Sequence, residues 1–148
     1  MAGLSLEMRQ IIYGTADYYS ALVLRNAALR KPLGMDISDD NLEADKVDIH
    51  IGAFLGPTFI GTLILTILNG DEVKMRQVAV DENERGNGIG AKLVIFAENV
   101  VNEAGRKKMV LNARKVVVEF YKKLGYTIDG EEFVEVGIPH FKMEKRLR

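Results

Sequence analysis

The segment ENERGNGIGAKL, residues 82–93, places three glycines at alternate positions after Arg85 and continues into a helical pattern. Glycine costs roughly 1 kcal/mol relative to alanine inside a helix, so glycines at a helix start need a compensating reason. Unpaired N–H groups and the positive end of the helix dipole make such a start an anion site. The segment therefore predicts a phosphate-bearing ligand, with Arg85 adding a charge. The alternative is a glycine-rich turn that only lets a helix pack close to a sheet.

The spacing of this segment does not fit the two common nucleotide motifs. A Walker loop needs Gly-Lys followed by Ser or Thr, whereas Lys92 lies between Ala91 and Leu93. A dinucleotide fingerprint needs Gly-x-Gly-x-x-Gly directly after a strand, and here five residues separate Val80 from the first glycine. The pattern therefore disfavours ATP, GTP and NAD.

Composition limits the classes of function. The 148 residues suffice for one compact domain, so we predict a single domain over residues 1–148. A net charge of -1 gives no electrostatic case for nucleic acid or an anionic membrane as a partner. The chain has no cysteine, which excludes disulfides, thiolate metal sites and cysteine nucleophiles, and we expect no metal. No export signal is recognisable, so the expected location is the cytoplasm.

Periodicity and turn signals predict an α/β order of elements. The uncharged run at residues 51–68 has the length of a membrane span, but Gly56-Pro57 and its β-branched residues favour a two-stranded hairpin. The acidic segment 36–45 predicts a solvated loop with a short helical turn. The other predicted elements are strands at 8–14, 72–80 and 107–113, helices at 16–30 and 116–125, a helix with the apolar stripe Ile89, Leu93, Phe96, Val100 and Ala104, and two tail strands around Ile138-Pro139.

Two signatures make the chain resemble the GNAT superfamily of acyl-CoA N-acyltransferases. The family's pyrophosphate loop reads Arg or Gln, two residues, Gly, any residue, then Gly or Ala, and residues 85–90 match it. LNARKVVVEFYKKLGY, residues 111–126, is similar to the second signature of Asn, Ala, Phe-Tyr and Leu-Gly-aromatic. EVGIPHFKM (135–143) and LRNAALRKPLG (24–34) resemble the ElaA-like branch. The resemblance implies the family's α/β fold, with a mixed, mostly antiparallel sheet flanked by helices.

The resemblance also implies a site for acetyl-CoA as co-substrate. Main-chain groups of Val78, Ala79 and Val80 would pair with the pantetheine arm and the acetyl carbonyl, and Asn112 would lie beside the pantetheine. Tyr121 matches the family's general-acid tyrosine, and we expect it to hydrogen-bond the leaving sulfur rather than transfer its proton early. The pyrophosphate would lie on Arg85, Gly86, Asn87, Gly88, Ile89, Gly90 and Ala91.

The implied reaction is direct transfer of the acetyl group from acetyl-CoA to an amine acceptor, and its base is open. Many relatives use a carboxylate on the strand that binds the cofactor, but in this sequence the corresponding residue is Lys74. We predict His140 as the base, because a reference pKa near 6.5 suits proton acceptance at pH 7, with Glu135 and Glu72 as alternatives. A cap on the Pro139 turn is the other interpretation of His140.

Structural roles for some of these residues, and two other functions for the protein, stay open as alternatives. From the residues alone, Tyr121 would be a core aromatic, and Arg25 and Arg30 would sit in solvent rather than bind an acidic acceptor. A non-catalytic acyl-CoA-binding regulatory or interaction module is the second functional hypothesis, and an unrelated phosphate-ligand binder is the third. The sequence does not identify the amine acceptor, and it leaves a homodimer open.

Overall fold

The computed structural model describes residues 4–148. The fold is mixed α/β, with an open, mostly antiparallel sheet flanked by helices, as the sequence predicts. The strands are β1 (Leu6–Ile11), β2 (Ile49–Leu55), β3 (Thr58–Ile67), β4 (Glu72–Val80), β5 (Lys108–Arg114), β6 (Thr127–Ile128), β7 (Phe133–Glu135) and β8 (Ile138–Arg146), and the α-helices are α1 (Ala16–Arg25), α2 (Ile89–Glu103) and α3 (Val118–Lys123).

The chain divides into two compact units. The first contains the chain up to Thr66 together with Gln77–Ala97, and the second contains Ile67–Arg76 and Glu98–Arg148. Strand β4 contributes to both, because its start belongs to the second unit and its end to the first. Helix α2 passes from the first unit to the second after Ala97. That residues 1–148 form one domain stays a prediction.

An apolar hairpin forms the centre of the first unit. β2 and β3 pair antiparallel around Gly56 and Pro57, and β1 pairs antiparallel with β2. Ile51, Leu63 and Leu65 are fully buried, as expected for strands covered on both faces. The hairpin prediction is confirmed. In residues 4–148 no helix is long and apolar enough to cross a membrane.

Helix α2 approaches the sheet of the first unit at Gly61. A Cβ on this glycine would lie 2.8 Å from Cδ1 of Leu93, so a larger residue would force the Leu93 side chain, or the helix that carries it, to shift. Ile89, Leu93 and Ala97 are buried at intervals of four residues. The predicted helix is confirmed, although its most buried line passes through Ala97 rather than Phe96, which is half-buried.

Strand β8 organises the second unit. It pairs antiparallel with β5, with β6 and with β7. β4 pairs parallel with β5 over Glu72–Lys74 against Lys108–Val110. Two tail strands were expected and β8 and β7 supply them, whereas the two-residue β6 has no sequence signal.

A polar cluster joins α2 to the end of α3 within this second unit. Lys145 on β8 donates to both carboxylate oxygens of Glu98 at 3.0 and 3.1 Å and to the carbonyl of Leu124 at 2.7 Å. The hydroxyl of Tyr126 donates to Glu98 at 2.8 Å, and burial raises the pKa of this phenol. Each polar group of this half-buried cluster therefore has a partner.

The predictions for the acidic segment and the two arginines are wrong in part. The segment forms 3₁₀ helices at Ile37–Asp39 and Leu42–Val47 rather than an open loop with one turn. Arg25 and Asp45 are each 1% exposed and pair at 2.8 Å, and Arg30 pairs with Asp40 at 2.8 Å. These charges are therefore paired rather than solvated, because a buried charge requires a partner.

The turn between β7 and β8 contains a strained residue. Val136 and Gly137 form a two-residue loop, since Glu135 pairs with Ile138, and their φ angles are +46° and +73°. Positive φ at both loop positions favours Asn-Gly. A left-handed conformation costs a residue with a Cβ about 1–2 kcal/mol, and a β-branched residue adopts it rarely.

Replacing Val136 with Asn should stabilise the protein, because Asn adopts positive φ more easily. We expect Val136→Asn to increase the free energy of unfolding by about 1 kcal/mol and Tm by about 2–4 °C. Val134→Asn is the matched control, since Val134 is also exposed but lies in β7 outside the turn. Thermal unfolding of both variants checks this, and a Val136→Asn variant no more stable than wild type would show that the turn carries no strain.

Candidate functional site

The predicted phosphate loop consists of a 3₁₀ turn, Glu82–Glu84, and the start of α2. Gly86 and Gly88 have φ angles of +88° and +75°, which glycine adopts without steric cost. A Cβ at either position would meet no atom within 4 Å. These two glycines therefore lie against open space. The close approach of helix to sheet that could have explained them occurs at Gly61 instead.

The start of α2 presents N–H groups with no acceptor inside the helix. The N–H of Lys92 donates to the carbonyl of Gly88 at 3.1 Å. The N–H groups of residues 89–91 precede this bond, so helix geometry gives them no partner within α2. Such donors, together with the helix dipole, favour an anion.

Arg85 is exposed at the end of β4. Its Nε donates to the carbonyl of Val80 at 3.4 Å, which holds the guanidinium near the strand end. The neighbouring Asn87 is also exposed, and its Nδ2 donates to Glu84 at 3.4 Å. A guanidinium next to a row of backbone donors is a suitable arrangement for phosphate oxygens.

The residues predicted to bind pantetheine, Val78, Ala79 and Val80, form the end of β4 in the first unit. Ala79 is buried, and Val78 and Val80 are half-buried. The N–H of Asp81 donates to the carbonyl of Ile60 at 2.8 Å, which ties the end of β4 to β3. The strand therefore reaches the phosphate loop in a defined position.

The structure brings three of the residues identified from the sequence together in the second unit. Asn112 Nδ2 on β5 donates to Glu135 Oε1 at 3.1 Å. The other carboxylate oxygen of Glu135 lies 3.7 Å from Nε2 of His140. Glu135 therefore stands between Asn112 and His140.

The two candidate bases in this cluster differ in exposure. His140 is 4% exposed, whereas the side chain of Glu135 is 47% exposed. Nδ1 of His140 donates to the carbonyl of Ile138 at 2.8 Å, so Nε2 is the nitrogen that faces Glu135. The ring of Phe133 stacks on the imidazole at a centroid distance of 5.8 Å. The carboxylate is thus the member of the pair that meets solvent.

The third candidate base, Glu72, lies elsewhere. Its Oε2 is 3.4 Å from Nζ of Lys108, at the start of β5. Asn112 follows Lys108 by four residues, which is roughly 13 Å of strand. The structure therefore places Glu135 and His140 next to Asn112, and Glu72 at the other end of β5.

Tyr121 on α3 lies in an aromatic environment and is 8% exposed. The rings of Phe120 and Tyr126 contact it edge to face at 5.0 and 5.7 Å. Burial raises the pKa of Tyr121 to about 12, so the phenol is protonated at neutral pH. Proton transfer to a thiolate of pKa near 8.5 would be uphill by roughly 5 kcal/mol. A hydrogen bond to such a sulfur is the chemistry that this hydroxyl favours.

Sequence reasoning did not detect two features of these regions. The contact of Asn112 with Glu135 joins residues 23 positions apart, and only strand register reveals it. Gln77, which directly precedes Val78, has a φ of +52° inside β4, and no local sequence motif predicts this conformation. Within residues 4–148 no group of three His, Asp or Glu is arranged to hold a metal ion.

Comparison with known proteins agrees with these features. The model of the acetyltransferase (GNAT) domain matches residues 56–147. The Bacillus subtilis protein YjcF, named an uncharacterized N-acetyltransferase, is 36% identical over 126 residues, covering 84% of this chain and 89% of YjcF.

Two solved structures have the same fold. Escherichia coli ElaA superposes with a TM-score of 0.80 at 21% identity, covering 95% of this chain and 99% of ElaA. A Bacillus subtilis acetyltransferase in complex with CoA superposes with a TM-score of 0.75 at 18% identity, covering 97% of this chain and all of the other. The domain match, which spans more than half of the chain, and the identity to YjcF confirm the predicted resemblance: the chain belongs to the GNAT acetyltransferase family.

Proposed function

We propose that the protein transfers the acetyl group of acetyl-CoA directly to an amine of a small molecule or peptide. The observation that carries the proposal is the start of α2. Gly86 and Gly88 have left-handed backbones with open space above them, and unpaired N–H groups and Arg85 adjoin them. This arrangement fits the pyrophosphate of CoA, and family membership supports the same ligand.

The rest of the acetyl-CoA molecule would bind through main-chain and amide groups. Pantetheine has two amides, which can pair with main-chain groups of Val78, Ala79 and Val80 as an added strand. Asn112 would lie beside the pantetheine, where its amide can donate and accept at once. Its bond to Glu135 fixes the orientation of that amide.

The reaction forms a C–N bond and breaks the C–S bond of the thioester. The neutral amine attacks the carbonyl carbon, and a main-chain N–H of Val78 or Ala79 stabilises the oxyanion; one such donor is typically worth 10²–10³ in rate. The sulfur of CoA then leaves as a thiolate that accepts a hydrogen bond from Tyr121, and the proton that the attacking nitrogen loses on forming the amide converts this thiolate to the thiol. Because the chain has no cysteine, a thiol-bound acyl-enzyme does not form.

The amine must lose a proton before it attacks. An alkylammonium costs about 4.6 kcal/mol to deprotonate at pH 7, so a base is needed. We propose His140 as that base, with the exposed carboxylate of Glu135 passing the proton from the amine to Nε2. The distance of 3.7 Å between the two groups and the burial of His140 support this order.

Binding of acetyl-CoA should depend on the absence of a side chain at Gly88. Gly88→Asp places a carboxylate against the pyrophosphate, and we expect the Kd for CoA to rise at least tenfold. Gly34→Asp is the matched control, because Gly34 has nearly the same φ, +72°, and equally open space. Calorimetric titration with CoA measures both. Equal affinity in wild type and Gly88→Asp would refute the phosphate-loop assignment.

Turnover should depend on the hydroxyl of Tyr121. Tyr121→Phe should retain CoA affinity and lower kcat roughly ten- to a hundredfold, because only a hydrogen bond to a charged sulfur is lost. A pKa of about 12 keeps the phenol protonated, so wild-type kcat should not fall between pH 8 and 10 through this group.

The control is Tyr126→Phe, which removes the hydroxyl of the adjacent ring and its bond to Glu98. It should lower Tm and leave kcat unchanged. Release of CoA thiol across a panel of amines, amino sugars, polyamines and peptides measures turnover. Unchanged kcat in Tyr121→Phe would assign this ring to the core, and CoA binding without release with any amine would favour the non-catalytic module.

The base should be detectable in the pH–rate profile. His140→Gln and Glu135→Gln should each lower the rate most near neutral pH and recover part of the loss at high pH, where the amine deprotonates unaided, and His140→Gln should leave CoA binding intact. Glu132→Gln is the control, because this exposed carboxylate pairs with Lys115 at the surface. A wild-type profile in His140→Gln would leave this histidine as a cap of the Pro139 turn.

A further inference from the structure

Gln77 adopts a backbone conformation that a strand residue rarely takes. Its φ is +52°, although it lies inside β4 and is not a glycine. A left-handed residue bends a strand and redirects the residues after it, as in a β-bulge. The next residues are Val78 and Ala79, so this bend sets the direction of the end of β4, which is proposed to bind pantetheine. Such a conformation persists only when its surroundings hold it.

The side chain of Gln77 has partners at both ends of its amide. Its Oε1 accepts a hydrogen bond of 2.6 Å from Nε of Arg25, and its Nε2 donates to Asp40 at 3.4 Å. Asp40 in turn accepts from Nε and Nη2 of Arg30 at 2.9 and 2.8 Å. Both groups that hold Gln77 thus belong to the loop and helices between β1 and β2.

Arg25 is itself fixed by a buried network in the first unit. Its Nη1 donates to Asp45 at 2.8 Å, and the hydroxyl of Tyr18 donates to the same carboxylate oxygen at 2.7 Å. Nε2 of His50 on β2 donates to the main-chain carbonyl of Asp45 at 2.8 Å. All four side chains are at least 95% buried. The guanidinium therefore has no freedom to leave Gln77.

Burial opposes ionisation of Asp45, but the hydrogen bonds from Arg25 and Tyr18 lower its pKa below the ordinary value. The hydrogen bond from Arg30 likewise lowers the pKa of Asp40. Both carboxylates are therefore charged at neutral pH. A network in which both buried charges are paired is rigid, because any shift leaves a buried charge unpaired.

From this arrangement we infer that Arg25 and Gln77 are positioning residues for acetyl transfer: the buried network holds Gln77 in its left-handed conformation and thereby places Val78 and Ala79 against the acetyl carbonyl. Neither side chain touches the substrate in this scheme. The inference rests on the proposed function, in which those main-chain groups bind the acyl end of acetyl-CoA. Helix α1, which contains Arg25, would thus affect catalysis although it carries no catalytic group.

Four variants test the inference. Gln77→Ala removes the anchored amide and leaves Arg25 on Asp45. Arg25→Lys keeps a charge opposite Asp45 but lacks the forked group that reaches two partners at once. The double variant combines them. Tyr126→Phe, in the second unit, is the control for a lost buried hydrogen bond.

Each single variant should lower kcat roughly tenfold or more at temperatures below unfolding, because reacting groups misplaced by an ångström lose that much. The Kd for CoA should change by a smaller factor than kcat, because the phosphate loop is unchanged and only the contacts of Val78 and Ala79 with pantetheine are shifted. The double variant should be no worse than the worse single one, because Arg25 acts through Gln77. Tyr126→Phe should lower Tm alone. Wild-type kcat in Gln77→Ala, or multiplied losses in the double variant, would overturn the inference.

A second measurement needs no turnover. In ¹⁵N spectra the amide resonances of Val78 and Ala79 should move in Gln77→Ala and Arg25→Lys and stay in place in Tyr126→Phe. Because Gln77→Ala retains the buried ion pair, it tests the inference even where Arg25→Lys fails to fold. A wild-type protein that neither binds nor cleaves acetyl-CoA would refute the proposed function separately. Unmoved Val78 and Ala79 resonances in Gln77→Ala would refute the positioning role.

Discussion

The buried ion pair of Arg25 and Asp45 is the interaction on which the first unit depends most. A charge taken out of water needs a partner, and these two side chains, both 1% exposed, satisfy each other. This requirement brings α1, the 3₁₀ helix that contains Asp45, β2 and β4 together around the pair. The depressed pKa of Asp45 makes this a pH-dependent contribution to stability, present above the ordinary carboxyl pKa near 3.9 and lost as the pH falls through the lower, folded-state value.

The sequence predicted those elements that local pattern determines. The run around Gly56-Pro57, the i+4 spacing from Ile89 and the β-branched strand at 72–80 each carry their own signal, and the structure reproduces them. The pairing of Arg25 with Asp45 carries none, because the partners lie 20 residues apart and each resembles an ordinary surface charge. Such residues are buried rather than solvated only because of tertiary contacts, which local sequence does not predict.

The candidate site likewise has one part that local sequence predicts and another part that depends on tertiary contacts. The phosphate loop could be proposed from the sequence because glycine spacing and a helix start are local features, and the structure adds the open space above Gly86 and Gly88. For the base, the sequence predicted His140 with Glu135 and Glu72 as alternatives, but it could not show which of them lie together, because that depends on strand register. β7 and β8 bring Glu135 beside His140, and β5 brings Asn112 to the same carboxylate. Their roles in catalysis stay predictions, as does that of Tyr121.

Gly61 has a consequence that reaches beyond packing. Leu93 lies 2.8 Å from where a side chain at position 61 would begin, only four residues beyond the first helical residue, Ile89. The absence of a side chain at Gly61 therefore lets α2 approach β3 closely one turn after the N–H donors of the helix start. We therefore expect substitutions at Gly61 to change the proposed affinity of the helix start for an anion. A survey of variants that ranks residues by their distance from the proposed anion site would overlook this position on the opposite side of the helix.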